Sequence, residues 1–187
     1  RQVFEGVIAG EGSPADVVTA RKLAIVSDEN ALAAAVNEAI NANAVTAAMV
    51  GEIVEAMRSS NRRLAGFIAE TCPSVGGQLV LPSGYLHDVY RFVREAGGVC
   101  IADEVQTGLG RTGKLFACEH DGVKPDGIVL GKALGGGLLP VSAFAAREDV
   151  MGVLRPGDHG STFGGNALGA AVGLEALNVL VEERLAE

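Results

Sequence analysis

Three apolar runs in this chain end on a charged or ionisable residue. "LAGFIAE" stops at Glu70, "VCIADEV" carries Asp103 and Glu104 at its far end, and "DGIVLGK" stops at Lys132, 29 positions after Asp103. A carboxylate at the end of a buried strand is costly unless a cation or several donors meet it. Asp103 and Lys132 therefore either form an ion pair or stand on two sides of a ligand that engages both. In the second case the acid holds a proton on a basic atom of the ligand and the lysine amine acts as a nucleophile, a role open to it only when unprotonated, which desolvation in a pocket favours.

Between the acids and the lysine lies "GLGRTGK", Gly108 to Lys114, which imitates two nucleotide loops. A phosphate loop requires Ser or Thr after its lysine to hold magnesium, and Leu115 stands there. The stretch that follows, "LFACEHDGVKPDG", has no helix long enough for either loop, and no second strand ends in an acid at the distance a dinucleotide fold demands. The glycines are better explained by tight turns.

The elements that must position these residues follow from pattern. From Leu64 the text alternates: "LAGFIAE", then a helix over "PSGYLHDVYRFVREAGG" opened near Pro82 and stopped by Gly97 and Gly98, then "VCIADEV", "DGIVLGK" and "PVSAFAA". Short apolar runs joined by a helix and Gly-rich loops predict an α/β fold with a mostly parallel sheet flanked by helices. Ligands of such sheets sit beyond the carboxyl ends of the strands, where Glu70, Asp103 and Lys132 fall. A last helix is predicted from about Asn166 onward. Residues 1–63 read as a helical segment without visible chemistry, with a short strand in "KLAIVS", a helix in "DENALAAAVNEAINAN", and another in which Val45, Met49, Ile53, Val54 and Met57 recur at helical spacing. The domain boundary is expected there, with residues 64–187 as the ligand-binding part.

Bulk properties narrow the class. The chain has 187 residues, 48% of them hydrophobic, and a formal net charge of −8, which is the wrong sign for a nucleic-acid binder. No run approaches a membrane span, and the start lacks the order of a signal peptide. Three cysteines without a C-x-x-C pair suit a reduced, cytoplasmic protein. No His or Cys pair has metal-ligand spacing. Cys100, in an apolar strand, reads as a core thiol rather than a nucleophile. His120, in "CEHDG", reads as a surface residue. Arg1 in place of a start methionine suggests a piece of a longer chain.

Taken together, "IADEVQTGLGRTG", "KPDGIVLGKALGGGLLPVSA" and "RPGDHGSTFGGNALGAAVGLEAL" resemble the class III, or ornithine aminotransferase-like, family of pyridoxal phosphate enzymes, over about Phe67 to Glu187. The resemblance implies part of the large domain of the fold type I pyridoxal 5′-phosphate-dependent transferases, and a homodimer with shared active sites. It implies that Lys132 forms the Schiff base and moves the proton, that Asp103 pairs with the pyridinium nitrogen, and that Gln106 contacts the ring's phenolic oxygen. Thr162 would reach the phosphate of the neighbouring subunit, Ser161 would let the backbone come close, and Glu70 would support the site near Gln106.

Two departures from the family pattern carry consequences. Residues 1–66 contain neither the Gly-Ser/Thr phosphate loop nor the aromatic–His–Gly segment of the family, so the chain by itself is expected to hold the cofactor weakly or not at all. "ETCPSVGGQLVLP" has no second acid after Glu70, which disfavours an ω-amino substrate and resembles relatives that act as lyases on phosphorylated amino alcohols. The reading is a transaminase acting on small amines and keto acids. A phospho-lyase, or an inactive fragment serving as an interaction module, is the alternative.

Overall fold

The structure is a computed structural model that describes residue 9 and residues 47–74, 77 and 79–186. The strand expected in "KLAIVS" and the helix expected over "DENALAAAVNEAINAN" lie outside the described residues. Residues 47–186 belong to one compact unit, Asn41–Glu187, so the helix over 47–59 (α1) shares a unit with the sheet. It buries Ala47 and Val54 but leaves Met49 and Ile53 exposed. The predicted apolar spacing thus marks two stripes, of which only one is covered.

Four strands form one sheet in the order β1 (Gly66–Glu70), β2 (Val99–Asp103), β3 (Gly127–Leu130), β4 (Ala143–Ala146). β1–β2 and β2–β3 are parallel, and Glu70 pairs with Asp103, which pairs in turn with Val129. This matches the expected mostly parallel sheet, except that β4 runs antiparallel to β3. The reason is the connection: a parallel return needs a crossover, usually a helix, and only a 3₁₀ turn, Lys132–Gly135, lies between Leu130 and Ala143. At the β3–β4 contact Gly127 makes room for the Phe144 ring, whose tip an added Cβ would approach to 2.7 Å.

The crossover between β1 and β2 is helix α2, Tyr85–Glu95. Leu86, Val89, Tyr90 and Val93 recur at helical spacing and are all but fully buried, each apolar side chain contributing about 2 kcal/mol of transfer free energy. They pack with Cys100, Cys118, Val123 and Ala47 into the core. The first turn of α2 is capped from a distance: the Asp121 carboxylate accepts from Gly84 N–H at 3.4 Å and Leu86 N–H at 3.2 Å. The last turn closes in a Schellman motif, with Gly97 at φ 83° and bonds from Gly97 N–H to Arg94 O and from Gly98 N–H to Val93 O, both 2.9 Å. Gly97 and Gly98 are thus the stop that the sequence signalled.

After β4 come a short helix α3, Glu148–Met151, and helix α4, Ala167–Glu182, whose cap Asn166 accepts from Gly169 N–H at 2.6 Å. Gly173 of α4 lies against Leu134 and Val141. No helix among the described residues is long and apolar enough to cross a membrane.

Candidate active site

Strand alternation separates the two neighbouring acids. Cys100, Ala102 and Glu104 share the buried face of β2, at 0%, 1% and 1% exposure, while Ile101 and Asp103 lie on the other face. Asp103 is partly buried, and its Oδ1 accepts from Val105 N–H at 3.0 Å. No hydrogen bond from a described residue reaches its Oδ2. Glu104, in contrast, is saturated: its carboxylate accepts from Thr71 and Thr107 hydroxyls and from Ala117 and Cys118 amides. The two acids are therefore not a pair doing one job.

Beyond Asp103 the chain turns over residues 104–108, closed by Gly108 N–H to Glu104 O at 2.9 Å. The turn carries Gln106, whose Oε1 accepts a hydrogen bond from Lys132 Nζ. Lys132 follows Gly131, whose backbone is fully extended, and itself takes φ 42°, in the left-handed region. A non-glycine residue there is strained by about 1–2 kcal/mol, a cost tolerated where the surroundings demand it and common at functional sites. Beyond it, Gly136 and Gly137 take φ 59° and 76°.

Glu70 completes the row at the end of β1. Its Oε2 accepts from Ser74 N–H at 2.6 Å and from Ser74 Oγ–H at 2.8 Å. These bonds, assisted by the nearby positive charge of Lys132, hold its carboxyl below the usual glutamate range, against a smaller opposing effect of burial. Glu70, Asp103, Gln106 and Lys132 thus share the carboxyl end of three adjacent strands. One detail differs from expectation: Lys132 is exposed, so the described residues do not supply the desolvation expected of a pocket.

Ser161 and Thr162 stand apart. They lie in an exposed loop before α4, where Ser161 Oγ accepts from Gly164 N–H at 2.9 Å, and neither bonds to the sheet-end row. Sequence reasoning missed two buried acids. One is Glu104; the other is Asp126, 3% exposed at the opposite end of the sheet, which accepts from Cys100 N–H at 2.7 Å, from Arg94 through two bonds, and from Arg147 at 2.6 Å. Alternation along β2 would have found Glu104. Nothing in the sequence pattern marks Asp126. Among the described residues no cluster of His, Cys, Asp and Glu could hold a metal ion. All three cysteines are free, and burial pushes the Cys100 and Cys118 thiols up to about 11 and about 12, as core thiols rather than nucleophiles.

The family model "Aminotransferase class-III" matches residues 17–187. An ornithine aminotransferase of Bacillus cereus (strain Q1) is 52% identical over 123 residues, 66% of this chain and 31% of that protein. An ornithine aminotransferase of Toxoplasma gondii, crystallized with oxidized glutathione and described as having partial occupancy of PLP at its active site, superposes with TM-score 0.67 at 49% identity, over 73% of this chain and 32% of its own. An acetylornithine aminotransferase of Elizabethkingia anophelis gives TM-score 0.70 at 44% identity, over 75% of this chain and 34% of its own. This chain therefore spans about a third of the length of these relatives. With the family model covering most of its residues, the chain belongs to the class-III aminotransferases.

Proposed function

We propose that this chain carries the lysine side of a pyridoxal phosphate site and serves amino-group transfer between a small amine and a keto acid. The observation that carries the reading is the shared sheet end, where a strained, exposed lysine bonds to Gln106 while Asp103 keeps one carboxylate oxygen without a partner among the described residues. The residues fit the cofactor: an acid for a ring nitrogen, an amine for an aldehyde, and glycines beside the amine that keep bulk away.

When bound, pyridoxal phosphate supplies an aldehyde that takes up an amine and a ring that draws in the electrons left as a carbon–hydrogen bond breaks. Asp103 would hold a proton on the ring nitrogen. Gln106, which accepts from Lys132 Nζ, would also face the ring's oxygen. Lys132 Nζ would serve as the base for the proton on the substrate carbon that bears the amino group. Glu70, fixed by Ser74, keeps a negative charge near this lysine. Ser161 and Thr162, exposed beside α4, are offered to the phosphate of a second copy, which accords with a homodimer that shares its sites. Free cysteines accord with a cytoplasmic setting.

Transamination is favoured over the lyase alternative because the relatives described above are all named aminotransferases. Those names also favour a diamino acid donor, against the sequence expectation drawn from the loop after Glu70. The test is a spectroscopic titration of the purified chain with pyridoxal phosphate. Because residues 1–66 lack the family's phosphate loop, any band of lysine-linked cofactor should be weak and form only at high cofactor concentration, vanish in Lys132→Ala and shift in Asp103→Asn. A band of equal strength in Lys132→Ala would refute the assignment.

A further inference from the structure

We propose that Glu104 is a positioning residue that clamps the turn presenting Asp103 and Gln106 to Lys132, a role that rests on reading this sheet end as a cofactor site. Its side chain is 1% exposed and forms no ion pair within the described residues. A carboxylate in that position must be held by hydrogen-bond donors. Four converge on it. Oε1 accepts from Thr71 Oγ1–H and Cys118 N–H, both at 2.8 Å, and Oε2 accepts from Thr107 Oγ1–H at 2.5 Å and Ala117 N–H at 3.1 Å.

The donors come from three places: the residue after β1, the turn after β2, and the start of the 3₁₀ helix Ala117–Asp121. One side chain thus ties the turn to two separate parts of the framework. The turn itself is tight, since an added Cβ on Gly108 would lie 2.8 Å from Glu104 O. What it carries is the site. Val105 N–H bonds to the Asp103 carboxylate on one side of Glu104, and Gln106 meets Lys132 on the other.

The chemistry of the clamp demands a charge. Each oxygen faces one hydroxyl, which can donate or accept, and one backbone N–H, which can only donate. An amide of the same shape must therefore oppose its NH₂ to a backbone N–H whichever way it is turned. Glu104→Gln preserves size and loses the clamp, while Thr107→Val removes one donor and Thr107→Ser keeps it.

Amide hydrogen exchange on the whole chain tests this. Glu104→Gln should speed exchange about tenfold at Ala117 and Cys118, and also at Val105, the reporter of Asp103. The Cys100 and Asp126 amides, bonded at the far end of the sheet, should keep their wild-type rates. Thr107→Val should speed Val105 by a smaller factor, and Thr107→Ser should restore it. Pyridoxal phosphate affinity should fall about tenfold in Glu104→Gln and stay at the wild-type level in Thr107→Ser. Faster exchange at Ala117 and Cys118 with Val105 unchanged would overturn the proposal, leaving Glu104 a purely structural acid. If Glu104→Gln does not fold, the Thr107 pair decides by the same reporter. A cofactor band in the wild-type chain that Lys132→Ala leaves unchanged would refute the cofactor reading alone, and the exchange result would still settle whether Glu104 orders the turn.

Discussion

At the amino end of β2 and β3, Asp126 is surrounded: an amide, two arginines and almost no solvent. At the carboxyl end of the same strands, Lys132 is exposed on strained backbone and Asp103 keeps an oxygen without a partner among the described residues. Both ends mix acids and cations, yet one spends them on closure and the other holds them ready. The Asp126 end joins α2, β2, β3 and the start of α3 through one carboxylate, with Arg147 also bonded to Asp149 at 2.7 Å. The Lys132 end is the place where the fold tolerates a cost. Stability and chemistry are thus divided between opposite edges of one small sheet.

That division can be broken at the amino end with the largest effect. Asp126→Ala orphans the buried Cys100 amide and removes charge-assisted bonds to two arginines that can still hydrate, so it should cost about 3 kcal/mol of stability by denaturant unfolding. A loss below about 1 kcal/mol would mean that this cluster is not the fastening it looks like. At the other end the sign reverses. Lys132→Gly removes the residue read as the nucleophile and relieves its positive φ, so it should raise stability by about 0.5–1 kcal/mol while abolishing cofactor attachment. Equal destabilisation by both changes would erase the contrast.

The smallest effect lies at Glu70. Because its folded-state carboxyl titrates below the ordinary range, it contributes stability above the unfolded titration range that is lost as pH falls through the lowered folded value. Ser74→Ala removes the hydroxyl donor but leaves the backbone one, so the Glu70 titration should move part of the way back up. Carbon-detected NMR of the carboxyl group reads this directly, and an unmoved midpoint would assign the whole effect to the backbone bond.

Much of this arrangement was legible because it is local. Helix α2 announced itself through Pro82 near its start and Gly97 and Gly98 at its end. The row of strand ends followed from apolar runs and the rule that sheets bind at their carboxyl edge. What escaped depends on partners far along the chain. Glu104 is held by Thr71, 33 positions away, and Asp126 by Arg94, 32 positions away, and no periodicity encodes such pairs. Glu104 was within reach all the same, since counting by twos from Cys100 puts it indoors and Asp103 out. The reversal of β4 was hidden for a different reason, because an apolar run states burial and not direction. Helix α4 shows the converse: its start at Asn166 was readable, but its largely apolar text, broken by Glu175, Asn178 and Glu182, did not reveal that Leu168 and Leu174 stand 65% and 62% exposed.

The assignment of Lys132 as the amine that takes up the cofactor is most directly examined by reducing the mixture of whole chain and pyridoxal phosphate with borohydride and mapping the modified peptide. The four lysines, Lys22, Lys114, Lys124 and Lys132, fall in separable peptides and serve as controls for one another. The account predicts that Lys132 carries most of the label and that Asp103→Asn cuts its share. Label spread evenly over the four, or concentrated on Lys114 or Lys124, would contradict it.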